Sequence, residues 1–485
     1  MIRDENIFEV KDNHVGLNVY KAVEYYIRGV LTAKNNYPSF VLIPQTTIDS
    51  AIKEAETIQG FTYSEEQVEV INNVLKSNVS IIAGKAGVGK SSIMRAIMIA
   101  LQRTGLKFDS CALSAMAAKR IEEASGFHAK TIHRTLGCKG DNKFEYDRNN
   151  KIPINVLIVD EGSMVGASLF YFLFQAIRDN TVVIISGDNK QLPPIGYGNI
   201  FSDLIDTLDP SCVNLLTKPM RQAQESGILV DANMIRENIN PITELSVPKI
   251  IHGKLQDMYY MFRNDRDTLT RIAIKTYLHS IKTDGMDNVV IITPRRQGCE
   301  NSSTVINQKI QYILMKNKSD DERIVCSGNK SKMFYVGDRV IQTVNNYEEK
   351  IFNGDIGYVT AIECHTDEKG NDYKICEITF HNVKDFNGKE KVLKYKNNEL
   401  DDIELAYVLT CHKIQGAGIK TVIGIIDNTH YTLLDNCMLY TMMTRAKKRC
   451  LLLAEPTAFQ ACIRKSHNNR RTWLSLENNK VEENA

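Results

Sequence analysis

Residues 84–92, Gly84, Lys85, Ala86, Gly87, Val88, Gly89, Lys90, Ser91 and Ser92, have the composition of a phosphate cradle. Backbone N–H groups can curl around phosphate oxygens only where no Cβ intervenes, and the three glycines supply that room. Lys90 then reaches the β- and γ-phosphates, and the Ser91 hydroxyl is offered to Mg²⁺. A second constellation is the adjacent acid pair Asp160 and Glu161. The first acid suits a place in the Mg²⁺ shell, and the second suits orienting and deprotonating an attacking water. Gln191, in the polar run from Gly187 to Pro194, is placed to sense the γ-phosphate and relay its loss. Gln67 admits two readings: with Ser64 it completes a helix capping box, and its position ahead of the cradle suits an amide that reads adenine.

These side chains need elements that aim them at one place. The run Val79 to Ile82 reads as a buried strand, and Ile93 to Leu101 has helical apolar spacing, so the glycine run is the turn of a strand–loop–helix unit. The apolar run from Ile154 to Val159 reads as a buried parallel strand that ends in the acid pair. Thr181 to Ser186 reads as another, ending in the Gln191 loop. Carboxyl ends of parallel strands are where open α/β sheets bind ligands. A strand over Leu106 to Ser114 and a helix over Ala117 to Ala124 continue the alternation. It restarts at Val289 to Thr293, so a second α/β unit follows the first. Between Met333 and about Tyr395, short strands separated by Gly-containing turns predict a small inserted β-barrel.

Bulk properties narrow the class. With 43% hydrophobic and 24% charged residues, the 485-residue chain has ample core for several units. Sixty Lys and Arg against 58 Asp and Glu leave a net charge of +2, so any grip on nucleic acid must come from local arrangement. Eleven cysteines with no C-x-x-C pair argue for reduced thiols in a cytoplasmic compartment. Cys364, His365, Cys376 and His381 fit no common zinc spacing. No apolar run approaches the length of a membrane span, and the amino-terminal residues lack a signal-peptide core.

The ordered set is more specific than any member: Gln67, the glycine cradle, the run Thr131 to Gly137, Asp160–Glu161, the Gln191 loop, Arg221, the run Thr410 to Gly416, and the run Tyr440 to Arg445. Together they resemble a superfamily 1 DNA helicase of the RecD/TraA-like family, which moves 5′→3′ on single-stranded DNA. The resemblance covers about residues 61–473. It implies two tandem RecA-like P-loop domains with an SH3-like insertion: a first domain at 61–212 with a strand-separating pin at 138–152, and a second domain at 213–485 with the SH3-like module at about 335–400. Ahead of them, the helical spacing of Val19 to Leu31 predicts a small helical accessory region at 1–60. The resemblance further implies ATP and Mg²⁺ as cofactors, with Lys90, Asp160, Glu161, Gln191, Arg221 and Arg445 in catalysis, and Gly416 beside the nucleotide. Ser114, Thr131, His133, Phe144, Tyr146, Thr410 and His412 match positions near the DNA. The implied partners are single-stranded and forked duplex DNA and proteins of replication, recombination or repair, bound by a monomer. Two departures stand out. Val88 replaces the family's usual threonine, and the segment Ala112 to Ala118 loses the family's proline, glycine and arginine, which leaves Ser114 and backbone amides there.

Three functions remain open on these residues: a helicase, a DNA-stimulated ATPase or translocase that does not itself unwind, and a P-loop enzyme of another class. Phe144 and Tyr146 stand at strand spacing on one face of the polar stretch from Gly137 to Pro153. They suit either a ribbon that wedges against the last base pair or a surface hairpin packed on its own domain. The basic stretch from Arg464 to Arg471 suits solvent or phosphate equally.

Overall fold

The computed structural model describes residues 8–477 apart from 12–13, 141–142, 327–331, 347, 367–369, 371, 385–387 and 467–469. The chain forms two compact units. Among the described residues, the first comprises those within 8–113 and 117–224 and the tail 470–477, and the second comprises those within 114–116 and 225–466.

The first unit is built on a six-stranded parallel sheet. Its order is Ala129–Thr131, Phe108–Ala112, Val156–Val159, Val182–Gly187, Val79–Gly84, Val213–Leu216. The strands are short and rich in Val and Ile because both faces are covered. Ile82, Ile158 and Ile184 point into one core with the helices Gln45–Gln59, Glu65–Lys76 and Lys90–Arg103. Their neighbours Ile81, Leu157, Val159, Val183 and Ile185 point into the other, with the helices Asn18–Asn35, Ala167–Ala176 and Ile200–Thr207. That is the period-two alternation of a strand with apolar residues on both faces.

Two expected boundaries are corrected here. Residues 1–60 do not stand apart. Val23, Ile27 and Leu31 fill one core of the first sheet, and Ile48, Ala51 and Ile52 fill the other. Nor does the second domain begin at 213. Val213–Leu216 pairs with the cradle strand, Ile81 opposite Val213 and Gly84 opposite Leu216, because a strand ending in the cradle is buried only if both its edges are hydrogen-bonded.

The carboxyl-terminal residues also join the first unit. The Glu24 carboxylate accepts the N–H of Trp473 at 2.8 Å and of Leu474 at 3.3 Å. The indole lies so close to Gly16 that a Cβ there would meet it at 2.5 Å. Arg470 donates to the carbonyls of Gly196 and Gly198, so this part of the basic tail is a structural contact. Burial raises Glu24 to about 7, and it raises the neighbouring Asp203 to about 7 as well, with the Glu24 charge adding to the effect.

The second unit has its own six-stranded sheet. Its order is Val408–Thr410, Val289–Thr293, Ile419–Ile426, Ala446–Ala454, Met258–Phe262, Ile250–His252, with only the last pair antiparallel. The helices Arg266–Asp284 and Ser303–Met315 lie against it, sharing a core with Val289, Ile291 and Ile423. The insertion is a five-stranded antiparallel sheet, Glu390–Lys396, Asp372–Lys384, Ile356–Thr366, Arg339–Gln342, Ile403–Leu405, with a bulge between Val359 and Ala361. A two-stranded pair, Arg323–Val325 with Met333–Tyr335, packs into the same core, so the module is wider than 335–400.

Candidate functional site

The cradle loop leaves the strand Val79–Gly84 and enters the helix Lys90–Arg103 through Gly89 at φ 92°, with Gly87 at φ 84°. Both are left-handed conformations that only glycine adopts without strain. A Cβ on Gly89 would also meet the Gln67 amide nitrogen at 2.2 Å. Gln67 does two things at once. Its carbonyl oxygen accepts the Ser64 N–H at 3.0 Å, closing the capping box, and its amide donates to the Val88 carbonyl at 2.9 Å. The capping reading is therefore present, and the same side chain braces the loop. Val88 is fully buried, so an apolar residue serves where the resemblance had a threonine.

Lys90 folds back on the carbonyls of Gly84 and Lys85, the second at 3.1 Å. Burial lowers its pKa, and the charges of Asp188, Glu161 and Asp160 oppose that shift. An ammonium among three carboxylates, beside a glycine loop at a helix N-terminus, fits a polyphosphate with a divalent cation. Ser91 sits on the first turn of that helix, while the Ser92 hydroxyl donates to Gln59 at 2.7 Å. Asp160 and Glu161 follow the strand Val156–Val159, as expected for a site at strand ends. The Asp160 pKa is raised, first by burial and then by the Glu161 charge. Glu161 is buried and stands at φ 50°, one of four non-glycine residues with positive φ among those described. Gln191 and Asp188 are buried at the end of Val182–Gly187, with the Gln191 N–H on the Asp188 carbonyl at 3.2 Å.

Sequence reasoning missed Arg120. Its guanidinium donates to a Glu161 carboxylate oxygen at 2.7 Å from the helix Ala115–Ser125. In the sequence it is one more cation beside Lys119 on a helix face, and nothing local separates the two. Asp188 was visible within the polar loop, but its complete burial was not.

Other anticipated residues are placed as follows. Thr131 is buried and caps the helix Ile132–Thr135 by accepting the Arg134 N–H at 3.2 Å. His133 on that helix is half-buried, which lowers its pKa. Where a two-stranded ribbon is expected at 138–152, the described residues form one isolated antiparallel bridge, Cys138 with Phe144. The Phe144 ring lies 5.1 Å from the Phe172 ring, and Tyr146 packs with it on the first-unit core. Both rings are half-buried on that core, the packing that the surface-hairpin reading of this stretch expects. Arg221 opens the helix Arg221–Glu225, and its side chain lies outside the described residues. Arg445 is buried in the second unit, where it donates to the Thr441 carbonyl at 3.2 Å and the Ala417 carbonyl at 3.4 Å. Thr410 ends the strand Val408–Thr410, His412 is exposed just beyond it, and Gly416 has φ 77°. Ser114 precedes the Ala115–Ser125 helix.

Strand, glycine loop, helix and two acid-tipped strands on one side of the cradle strand define a P-loop nucleotide-binding domain in the first unit. Residues 62–246 match the AAA domain family, residues 306–380 the SH3 domain of ATP-dependent RecD-like DNA helicases, and residues 405–453 the UvrD-like helicase C-terminal domain. The chain thus carries, in this order, segments similar to an AAA domain, to the SH3 domain of RecD-like DNA helicases and to a UvrD-like helicase C-terminal domain. A Deinococcus radiodurans protein described as an ATP-dependent RecD2 DNA helicase is 29% identical over 416 residues, 85% of this chain and 52% of its own length. A RecBCD enzyme subunit RecD of Mycobacterium tuberculosis is 25% identical over 437 residues, 82% of this chain and 70% of its own. A Bacteroides Pif1 structure bound to ssDNA aligns with a TM-score of 0.47 at 18% identity, over 87% of this chain and 97% of that one. The chain therefore spans about half the length of the Deinococcus relative.

Proposed function

We propose that the chain is an ATP-driven motor that moves 5′→3′ on single-stranded DNA and separates the strands of a forked duplex. The observation that carries this reading is the joint presence of an acid-tipped P-loop and a RecD-like SH3 module in one chain. In the proposed cycle Lys90 leaves the carbonyls of Gly84 and Lys85 for the β- and γ-phosphates, while Gln67 faces the adenine and Gly416 lies beside the nucleotide. Ser91 and Asp160 would hold Mg²⁺, which would neutralise phosphate charge when bound. Glu161 takes a proton from the attacking water as its oxygen bonds to the γ-phosphorus and ADP departs. Gln191 reads the loss of the γ-phosphate. Arg221 and Arg445 supply guanidinium groups to phosphate oxygens, a role suited to their planar, permanently charged forks. Ser114, Thr131, His133, Thr410 and His412 lie along the strand. The setting is cytoplasmic DNA replication, recombination or repair.

A strand-displacement assay on forked DNA with a 5′ or a 3′ tail tests activity and direction together. Unwinding only with a 5′ tail is the expected result, and unwinding only with a 3′ tail overturns the direction. One observation favours a second reading, a DNA-stimulated translocase that does not itself unwind: the half-buried Phe144 ring packs on Phe172. DNA-stimulated ATP hydrolysis with neither substrate unwound would select it.

A further inference from the structure

The two helices on the second sheet enclose an exposed groove of about 710 Å³ that the nucleotide chemistry does not use. Its floor is aliphatic, made by Ile274, Leu278 and Ile313, and Tyr312 stands at one wall with 76% of its surface exposed. Its rim is cationic. Arg271, Lys275 and Lys282 come from the helix Arg266–Asp284, and Lys309 comes from the helix Ser303–Met315. All four are exposed, and none forms a salt bridge among the described residues. Asp267 at one end is the single carboxylate of the lining. From Arg271 to Lys282 the rim runs roughly 16 Å along the helix, which about five extended residues would span.

We propose that this groove docks an acidic, amphipathic segment of a partner protein, whose apolar side chains cover the aliphatic floor while its carboxylates meet the lysines. Charge complementarity selects that occupant. Four cations against one carboxylate repel a basic segment and give a neutral one no charge attraction, and an apolar floor is left wet by a merely acidic one. Single-stranded nucleic acid is the weaker fit. Bases need ring faces to stack on, and the lining offers only Tyr312 and the small His279 imidazole beside a floor of branched aliphatic side chains. A strand of phosphates would leave Ile274, Leu278 and Ile313 uncovered. Lysines as point charges on flexible stems suit carboxylates that differ in position from one turn to the next.

The experiment is fluorescence polarisation with the full chain and a labelled synthetic peptide in which aspartates alternate with leucine and phenylalanine. Two control peptides replace the aspartates by lysine, or the apolar residues by serine. The acidic amphipathic peptide is expected to bind at least about tenfold more tightly than either control, and to weaken as salt is added. The double variant Lys275→Glu, Lys309→Glu and the single variant Tyr312→Ser are each expected to weaken it about tenfold, with thermal melting unchanged because the three side chains are exposed. Equal binding of the serine control, or parent-like binding by both variants, overturns the proposal. So does the double variant lowering affinity for an oligothymidylate while leaving the peptide untouched, which would assign the groove to nucleic acid.

Discussion

Glu161 carries more constraint than any other residue of the cradle: buried, at positive φ, beside Asp160, and ion-paired to Arg120. Glu161→Gln keeps the shape and loses the proton acceptor. Hydrolysis should fall about 10²–10⁴-fold in a steady-state ATPase assay while nucleotide binding survives. Lys90→Ala should instead weaken both, since the ammonium that the phosphates need is gone. Arg120→Ala separates charge from shape. A buried carboxylate that loses its cation, with another acid adjacent, takes up a proton more readily. The rate at neutral pH should fall and recover as pH is raised, so the acidic limb of the pH–rate profile moves upward. Arg120→Lys should keep the parent profile. An unchanged profile in Arg120→Ala would make the ion pair irrelevant to the base. Arg445→Lys keeps charge and loses the fork. If it hydrolyses ATP at the parent rate with DNA saturating, Arg445 is structural, as its hydrogen bonds to the Thr441 and Ala417 carbonyls would then explain.

At the level of elements, much was legible because it is local. The spacing of Gly84, Gly89 and Lys90 requires a turn between a strand and a helix, and the runs Ile154–Val159 and Thr181–Ser186 are too apolar for any place but a buried sheet. The helix from Asn18 announced itself by the spacing of Val19 to Leu31. What stayed hidden depends on partners distant in sequence. Nothing within Val213–Leu216 says that it pairs with Val79–Gly84, and nothing near Arg120 points to Glu161. Phe144 and Tyr146 both pack on the first-unit core, and nothing in their own stretch names Phe172 as the ring that Phe144 meets. Phe144→Ala should therefore cost about 1–3 kcal/mol of first-unit stability in a denaturant titration, as for a half-buried ring. No measurable loss would return the ring to solvent and reopen the wedge.

Over the whole molecule, the seat of the tail in the first unit makes stability depend on pH. Glu24 and Asp203 ionise near pH 7 when folded, against 4.5 and 3.8 otherwise. Because the folded state holds these protons more tightly, their contribution is present in full below about pH 4 and is lost as pH rises through 7. Trp473 is the one tryptophan of the chain and sits on this seat, so its fluorescence reports directly. Between pH 5 and 8 the urea midpoint read at Trp473 should fall in the parent and fall less in Glu24→Gln, which keeps an acceptor for the two N–H groups without a charge to bury. Parallel curves would show that Glu24 does not titrate there.

The same seat sets an order of assembly. Glu24 and Trp473 are 449 residues apart, and the second unit is threaded between the early and late parts of the first. At about 5–20 residues per second, a ribosome delivers the indole some 20–90 s after the carboxylate that receives its backbone. Through that interval Glu24 lacks the two N–H groups it accepts from Trp473 and Leu474, and the unit that emerges first is the one completed last. A nascent chain stalled before Arg470 carries an unfinished first unit beside a second whose every strand has already been made.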